Sequence, residues 1–263
     1  MEVNQVDERL KDVNFEMFDG LWLGGDVLPY HVDSVEQLVR ADSILNIKSP
    51  STLWALGNHD HGELSTPLIE DYTGHHLPEF WQSEGLGVLV LNTNFGWEEC
   101  EQKLSQLAFI DSTLTHIRGI KSLVVLTHQA IWSALPGLGG FAPVVNAESG
   151  GWAVVCEKGN SFEERIWPLL LQARDNGVNV VCVAGDAGTK DSKYHEATVM
   201  DIHFILSGIG NTFYLRNKNG IPDSALPDSL VVFNYHKKKG SLSWEPISLN
   251  DLISLSKQAT SPR

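Results

Sequence analysis

The sequence predicts an α/β fold built on a central sheet, and three observations lead there. Short apolar runs alternate with stretches of helical periodicity. Four of those runs break off at a glycine or threonine followed at once by a metal-competent side chain. The composition, 42% hydrophobic and 20% charged over 263 residues, is that of a globule with a sizeable core, which excludes a disordered chain, a collagen-like repeat and a coiled coil.

Taken in order, residues 1–19 are polar and acidic, the opposite of an export signal, and a first helix is expected within 5–18. DGLWLGGD (19–26) reads as a strand closing on a Gly-Asp turn. Residues 33–45 open on a helix-start residue and carry Val35, Leu38, Val39 and Leu45 at mostly helical spacing. STLWALGNHD (51–60) is again a strand running into a polar turn, LGVLVLNTN (86–94) is a third, and 101–117 a helix. KSLVVLTH (121–128) is a strand ending at a histidine. The Gly-rich stretch 133–161, flanked by Trp132 and Trp152, has no clear period; it suits a lid loop over a site, and core packing of the two tryptophans is an equal expectation. A helix (162–176), the strand VNVVCVAGD (178–186) and later strands over 196–207 and 229–247 follow, the last two joined by a hairpin turn at Lys237–Gly240. The late strands add antiparallel character, and 250–263 is expected as a flexible tail. No linker divides the chain, so residues 1–263 are expected to form a single domain.

Charge and cysteine use narrow the partners. With 19 Lys and Arg against 33 Asp and Glu, the net charge is −14, and such a surface repels phosphate backbones at long range. Extended binding to nucleic acid or to an anionic membrane is therefore not expected. No run approaches the roughly 18 apolar residues of a membrane span. Three cysteines without CxxC spacing, Cys100, Cys156 and Cys182, imply neither a disulfide framework nor a zinc knuckle, and Cys182 reads as a small core residue. A cytoplasmic location is the expectation for the chain as given.

The four strand ends are Gly25-Asp26, Gly57-Asn58-His59-Asp60, Thr127-His128 and Gly185-Asp186. Side chains at the carboxyl ends of neighbouring strands converge on one edge of an α/β sheet, where such folds place ligands. Any one of these pairs is ordinary turn chemistry. GNHDH at 57–61 is more specific: glycine permits a sharp turn, asparagine offers a neutral oxygen to a hard cation, and histidine supplies a titratable proton that a neighbouring aspartate can orient.

In this order the motifs resemble the calcineurin-like metallophosphoesterases, whose strand-end signatures are DxH, GD, GNHD or GNHE, GH and GHxH. The resemblance covers about residues 5–210, with GD at Gly25-Asp26, GNHD at Gly57–Asp60 and Thr127-His128 in the GH position. It implies a four-layer α/β/β/α sandwich and a divalent metal, Mn²⁺ first, with Mg²⁺, Fe or Zn²⁺ admissible. It also implies hydrolysis of a phosphomonoester or phosphodiester by metal-activated water, with His59 as general acid and Asp60 orienting it. The metal ligands it implies are Asp26, Asn58, His128 and Asp186, while His61 and His76 are candidates for substrate contact or plain loop hydrogen bonding. Two departures stand out: Gly185-Asp186-Ala187-Gly188 replaces GHxH, and no DxH precedes Gly25-Asp26. The sandwich is thus expected without its first strand, and one metal site is expected to be better preserved than the other. Asp186 either ligates or holds another ligand. The alternative is a degenerate member of the same fold that acts as a binding or scaffold protein. A helical His-Asp phosphohydrolase is excluded, because its pair sits on a helix and this one follows a strand.

Overall fold

Period-two alternation in the apolar runs decides how the layers stack. In the computed structural model the described residues are 6–96, 99–142, 144–146, 156, 161–187, 194–209 and 228–259. Six strands form one mixed sheet: β3 (Glu79–Ser83), β4 (Leu86–Val90), β5 (Ser122–Thr127), β6 (Asn179–Ala184), β7 (Tyr194–Val199) and β8 (Ile202–Ser207), in the order β3-β4-β5-β6-β8-β7. The central pairings β4–β5, β5–β6 and β6–β8 are parallel, and the two outer pairings antiparallel. Parallel strands buried on both faces should be apolar at nearly every position, and β4 and β5 are buried throughout.

Alternate residues of these strands serve different cores. Leu123, Val125, Val180, Cys182 and Phe204 join a core with Leu107 and Ile110 of α3 (Cys100–His116) and Leu170 of α4 (Trp167–Asp175). Val124, Leu126, Val181, Val183 and Ile205 face the opposite way, against Leu53, Trp22, Phe233 and Trp244. Those partners belong to two small sheets: the parallel pair β1 (Leu21–Leu23) and β2 (Thr52–Trp54), and the antiparallel hairpin β9 (Ser229–His236) and β10 (Ser241–Ser248). A third core gathers Leu23, Trp54 and Leu56 with Leu38 and Leu45 of α1 (Val35–Leu45), Ile69 of α2 (Ser65–Thr73) and Leu252 of α5 (Leu249–Ala259).

Several expectations change here. Within 5–18 there is no α-helix but two short 3₁₀ turns, Glu8–Asp12 and Phe15–Met17. The tail expected over 250–263 is, as far as Ala259, an amphipathic helix that buries Leu249 and Leu252, because its apolar residues recur at three-residue spacing. The proposed lid divides: Trp132, Leu138 and Phe141 are fully buried in the α3/α4 core, Trp132 against Phe162 and Phe204. Trp152 and most of 147–160 lie outside the described residues. Cys100 and Cys156 form a disulfide across 56 residues of sequence, where none was expected. Cys182 is buried and free, as its apolar neighbours implied.

Among the described residues, β1 pairs only with β2 and β9 only with β10. A cavity of about 910 Å³ borders both strands, lined by Trp22, Leu126, Val183 and Phe233, and its walls also include Asp26, His59 and His128. No helix among the described residues is long and apolar enough to cross a membrane.

Candidate metal centre

The carboxyl ends of β1, β2, β5 and β6 are laced together by their own backbones. The Gly185 amide donates to the carbonyls of Thr127 and His128, and the Asp186 amide donates to that of His128 at 2.9 Å. The Ala55 amide donates to Leu23 at 2.9 Å. Such close approach demands glycine. A Cβ on Gly185 would collide with the Gly24 carbonyl, and one on Gly57 with the Asp26 carboxylate. Gly25 carries φ +93°, and Asp26 itself takes the left-handed conformation at φ +50°, where a non-glycine residue is uncommon and marks a local constraint.

This lacing brings three side chains around one imidazole. His128 is 1% exposed and its Nδ1 lies 2.8 Å from the Gly24 carbonyl oxygen. A carbonyl only accepts, so Nδ1 carries a proton, and Nε2 is the ring nitrogen turned towards the oxygens of the cluster. Asn58 Oδ1 stands 3.2 Å from that Nε2, Asp26 Oδ2 3.6 Å and Asp186 Oδ1 3.9 Å. Metal–donor bonds of about 2.1 Å set at right angles put neighbouring donors about 3 Å apart, and tetrahedral ones somewhat further. Among the described residues no group of three or more His, Cys, Asp or Glu side chains is placed so that it could hold a metal ion. Two carboxylates converging on one imidazole repel each other unless a positive charge, on the ring or on a cation, joins them. Three oxygens and one nitrogen are the donor types that a hard divalent ion takes.

The loop 57–61 is held from beneath. Asp60 is completely buried, and one of its carboxylate oxygens accepts from the Gly57 amide at 2.9 Å and from Trp54 Nε1 at 3.2 Å. Burial and the charge of Asp26 push its carboxyl up to about 6, against the opposing pull of the Gly57 amide, His128 and Trp54. The expectation that Asp60 orients the His59 ring is corrected: its hydrogen bonds shape the loop, because the tight turn after Gly57 points it back under the strand end. His59 is half-buried, its amide donates to Asp26 Oδ1 at 2.9 Å, and its ring stacks beside His31 with centroids 6.5 Å apart.

The two substrate candidates land elsewhere. His61 Nε2 donates to Glu99 Oε1 at 3.0 Å, and Nδ1 is within reach of the Thr66 hydroxyl at 3.2 Å and the Asn92 amide at 3.3 Å. His76 is a surface residue whose side chain, 69% exposed, pairs with Glu70. Neither borders the cavity that holds Asp26, His59 and His128. Both have acidic partners close in sequence or space, which satisfies them away from the cleft. Residues passed over by sequence reasoning do contribute: Asn94 Nδ2 donates to the Leu56 carbonyl at 2.6 Å, and Asn92 Oδ1 accepts from the Asn94 amide. Their signal was present, since LNTN is one more apolar run ending in polar side chains.

No protein-family model matches the sequence, and no curated protein resembles it closely enough to count as a relative. Among solved structures the chain is similar to phosphopantetheinyl hydrolase from Mycobacterium tuberculosis, at 11% sequence identity and a TM-score of 0.44, over 84% of this chain and 93% of that one. A likeness so loose fixes neither family nor activity.

Proposed function

We infer that the chain is a metal-dependent phosphoesterase of the calcineurin-like type, acting on a phosphorylated small molecule or a phosphodiester. The observation that carries this reading is His128 Nε2 facing the oxygens of Asn58, Asp26 and Asp186 at 3.2 to 3.9 Å. The three cores, with helices outside two layers of strands, support reading the stack as the four-layer sandwich that the motifs imply.

In this reading Asp26, Asn58, His128 and Asp186 hold one divalent ion, Mn²⁺ by preference, with Mg²⁺, Fe or Zn²⁺ admissible. Bound there, the ion supplies Lewis acidity at phosphorus and a more acidic water. The remaining work belongs to the chain. Gly24 fixes the tautomer of His128, and Asp26 positions the His59 backbone. Among the described residues the His59 ring has no protein hydrogen-bond partner, so it is free to protonate the leaving oxygen of a substrate seated in the cleft. Asp60 and Asn94 keep the loop in place beneath it.

Hydrolysis of p-nitrophenyl phosphate and of its bis-ester, each with Mn²⁺ and with a chelator, tests the reading. Turnover should require the ion. His59→Ala should lower kcat by about 10²- to 10⁴-fold while Mn²⁺ affinity, read by calorimetry, stays within twofold. Equal loss of both would make His59 a ligand. Binding of one ion with no turnover of either ester would favour the degenerate, binding-protein reading, to which the replacement of GHxH by GDAG lends weight.

A further inference from the structure

Beyond the donor set itself, the loop that carries Asn58 and His59 is tied to a disulfide. Loop 57–61 ends at His61, whose amide donates to the Gly57 carbonyl at 2.8 Å and whose ring bridges outward to Glu99 Oε1 at 3.0 Å. Thr66 Oγ1 accepts from the Gly62 amide at 3.0 Å, which leaves its own proton to meet His61 Nδ1. That sets Nε2–H towards Glu99. Glu99 uses its other oxygen to accept from the Gly96 amide at 2.8 Å, so both ends of its carboxylate are engaged. The next residue is Cys100, the first of α3, bonded to Cys156. The buried part of α3 begins at Lys103, whose amide donates to the Glu99 carbonyl at 3.0 Å, and the disulfide adds a covalent tie at Cys100 to the turn that presents Glu99.

We propose that the Cys100–Cys156 disulfide is a redox-operated strap on the metal-binding loop, acting through Glu99 and His61 as positioning residues. The step is a two-electron reduction by a dithiol. The Cys100–Cys156 S–S bond breaks, each sulfur takes one electron and one proton, and the dithiol closes to its own disulfide. The first turn of α3 then loosens, Glu99 releases His61, and the loop presenting Asn58 to the cation gains freedom. A group that orients a metal ligand at one remove commonly governs affinity by about 10- to 100-fold. The strap's effect on metal rests on the phosphoesterase reading of the site, but its effect on the loop does not.

The experiment therefore reads both. Hydrogen exchange of the 57–61 amides, in metal-free protein, is compared between the oxidised chain, the chain reduced with dithiothreitol and the Cys100→Ser/Cys156→Ser double variant. Mn²⁺ affinity is measured on the same three and on Glu99→Gln. Exchange should quicken on reduction and in the double variant, and the double variant should no longer respond to dithiothreitol. Mn²⁺ should bind about tenfold more weakly in both. Glu99→Gln should weaken binding in the oxidised chain and add nothing after reduction, whereas Glu99→Asp should restore part of the loss. Unchanged exchange on reduction overturns the strap whatever the metal does. Faster exchange with equal Mn²⁺ affinity in both states overturns its control of the site and leaves the metal reading standing. Faster exchange with no Mn²⁺ bound in any state overturns the metal reading and, with it, the strap's role there.

Discussion

His128 and Asp60 sit within one cluster and answer to opposite demands. The Gly24 carbonyl holds the Nδ1–H of His128, which turns Nε2 towards the oxygens of the cluster. Asp60 is buried with one oxygen engaged and the other without a partner among the described residues, so burial favours its protonated form. Its carboxyl stands at about 6 in the fold, against about 4 in an unfolded chain. A raised acid pKa means that the folded state binds the proton more tightly, so stability falls as pH climbs from about 4 to about 6 and stays lower above that window. The full penalty is on the order of 3 kcal/mol. Urea denaturation of metal-free protein at pH 4.5 and pH 7 should show the wild type losing more stability across that interval than Asp60→Asn. Equal losses would place the pH dependence elsewhere.

At the scale of elements, the glycines at the strand ends carry the geometry. Gly185→Ala should destabilise the fold by about 1–3 kcal/mol, as overpacking does, since its Cβ has only the Gly24 backbone to displace. Denaturation midpoints would read that loss. Trp132→Ala, deep in the α3/α4 core, should cost about 3–5 kcal/mol and leave Mn²⁺ affinity untouched in whatever fraction remains folded. The strand-to-turn boundaries were legible because an apolar run ending at glycine and a polar side chain is local information. The outer strand β3 was not: EFWQS is half-exposed at the sheet edge and shows no clean alternation. The stretch after Trp132 was misread because its buried residues, Leu135, Leu138, Phe141 and Val144, pack from short turns with no single period. For His61 the sequence left substrate contact and loop hydrogen bonding both open, since a partner 38 residues away, Glu99, leaves no mark on its neighbours in sequence.

For the whole molecule, the disulfide changes the expected setting. Such bonds persist in oxidising compartments and are rare where glutathione and thioredoxin keep thiols reduced, so the cytoplasmic expectation and the Cys100–Cys156 bond do not sit together. Alkylation under denaturing, non-reducing conditions should modify Cys182 alone, and all three cysteines after reduction. Three modified cysteines without reductant would remove the bond and the strap with it. An odd cysteine count concealed this pairing, because nothing in the spacing of two residues 56 apart shows that α3 and the later segment meet.

The left-handed backbone at Asp26 has a consequence for any lineage of this protein held under selection. That position combines an unfavourable torsion with a negative charge beside two other acids, so glycine there should make the empty protein more heat-resistant. A population screened for thermal endurance in chelator should therefore discard Asp26 early, while one screened with manganese in the medium should keep it.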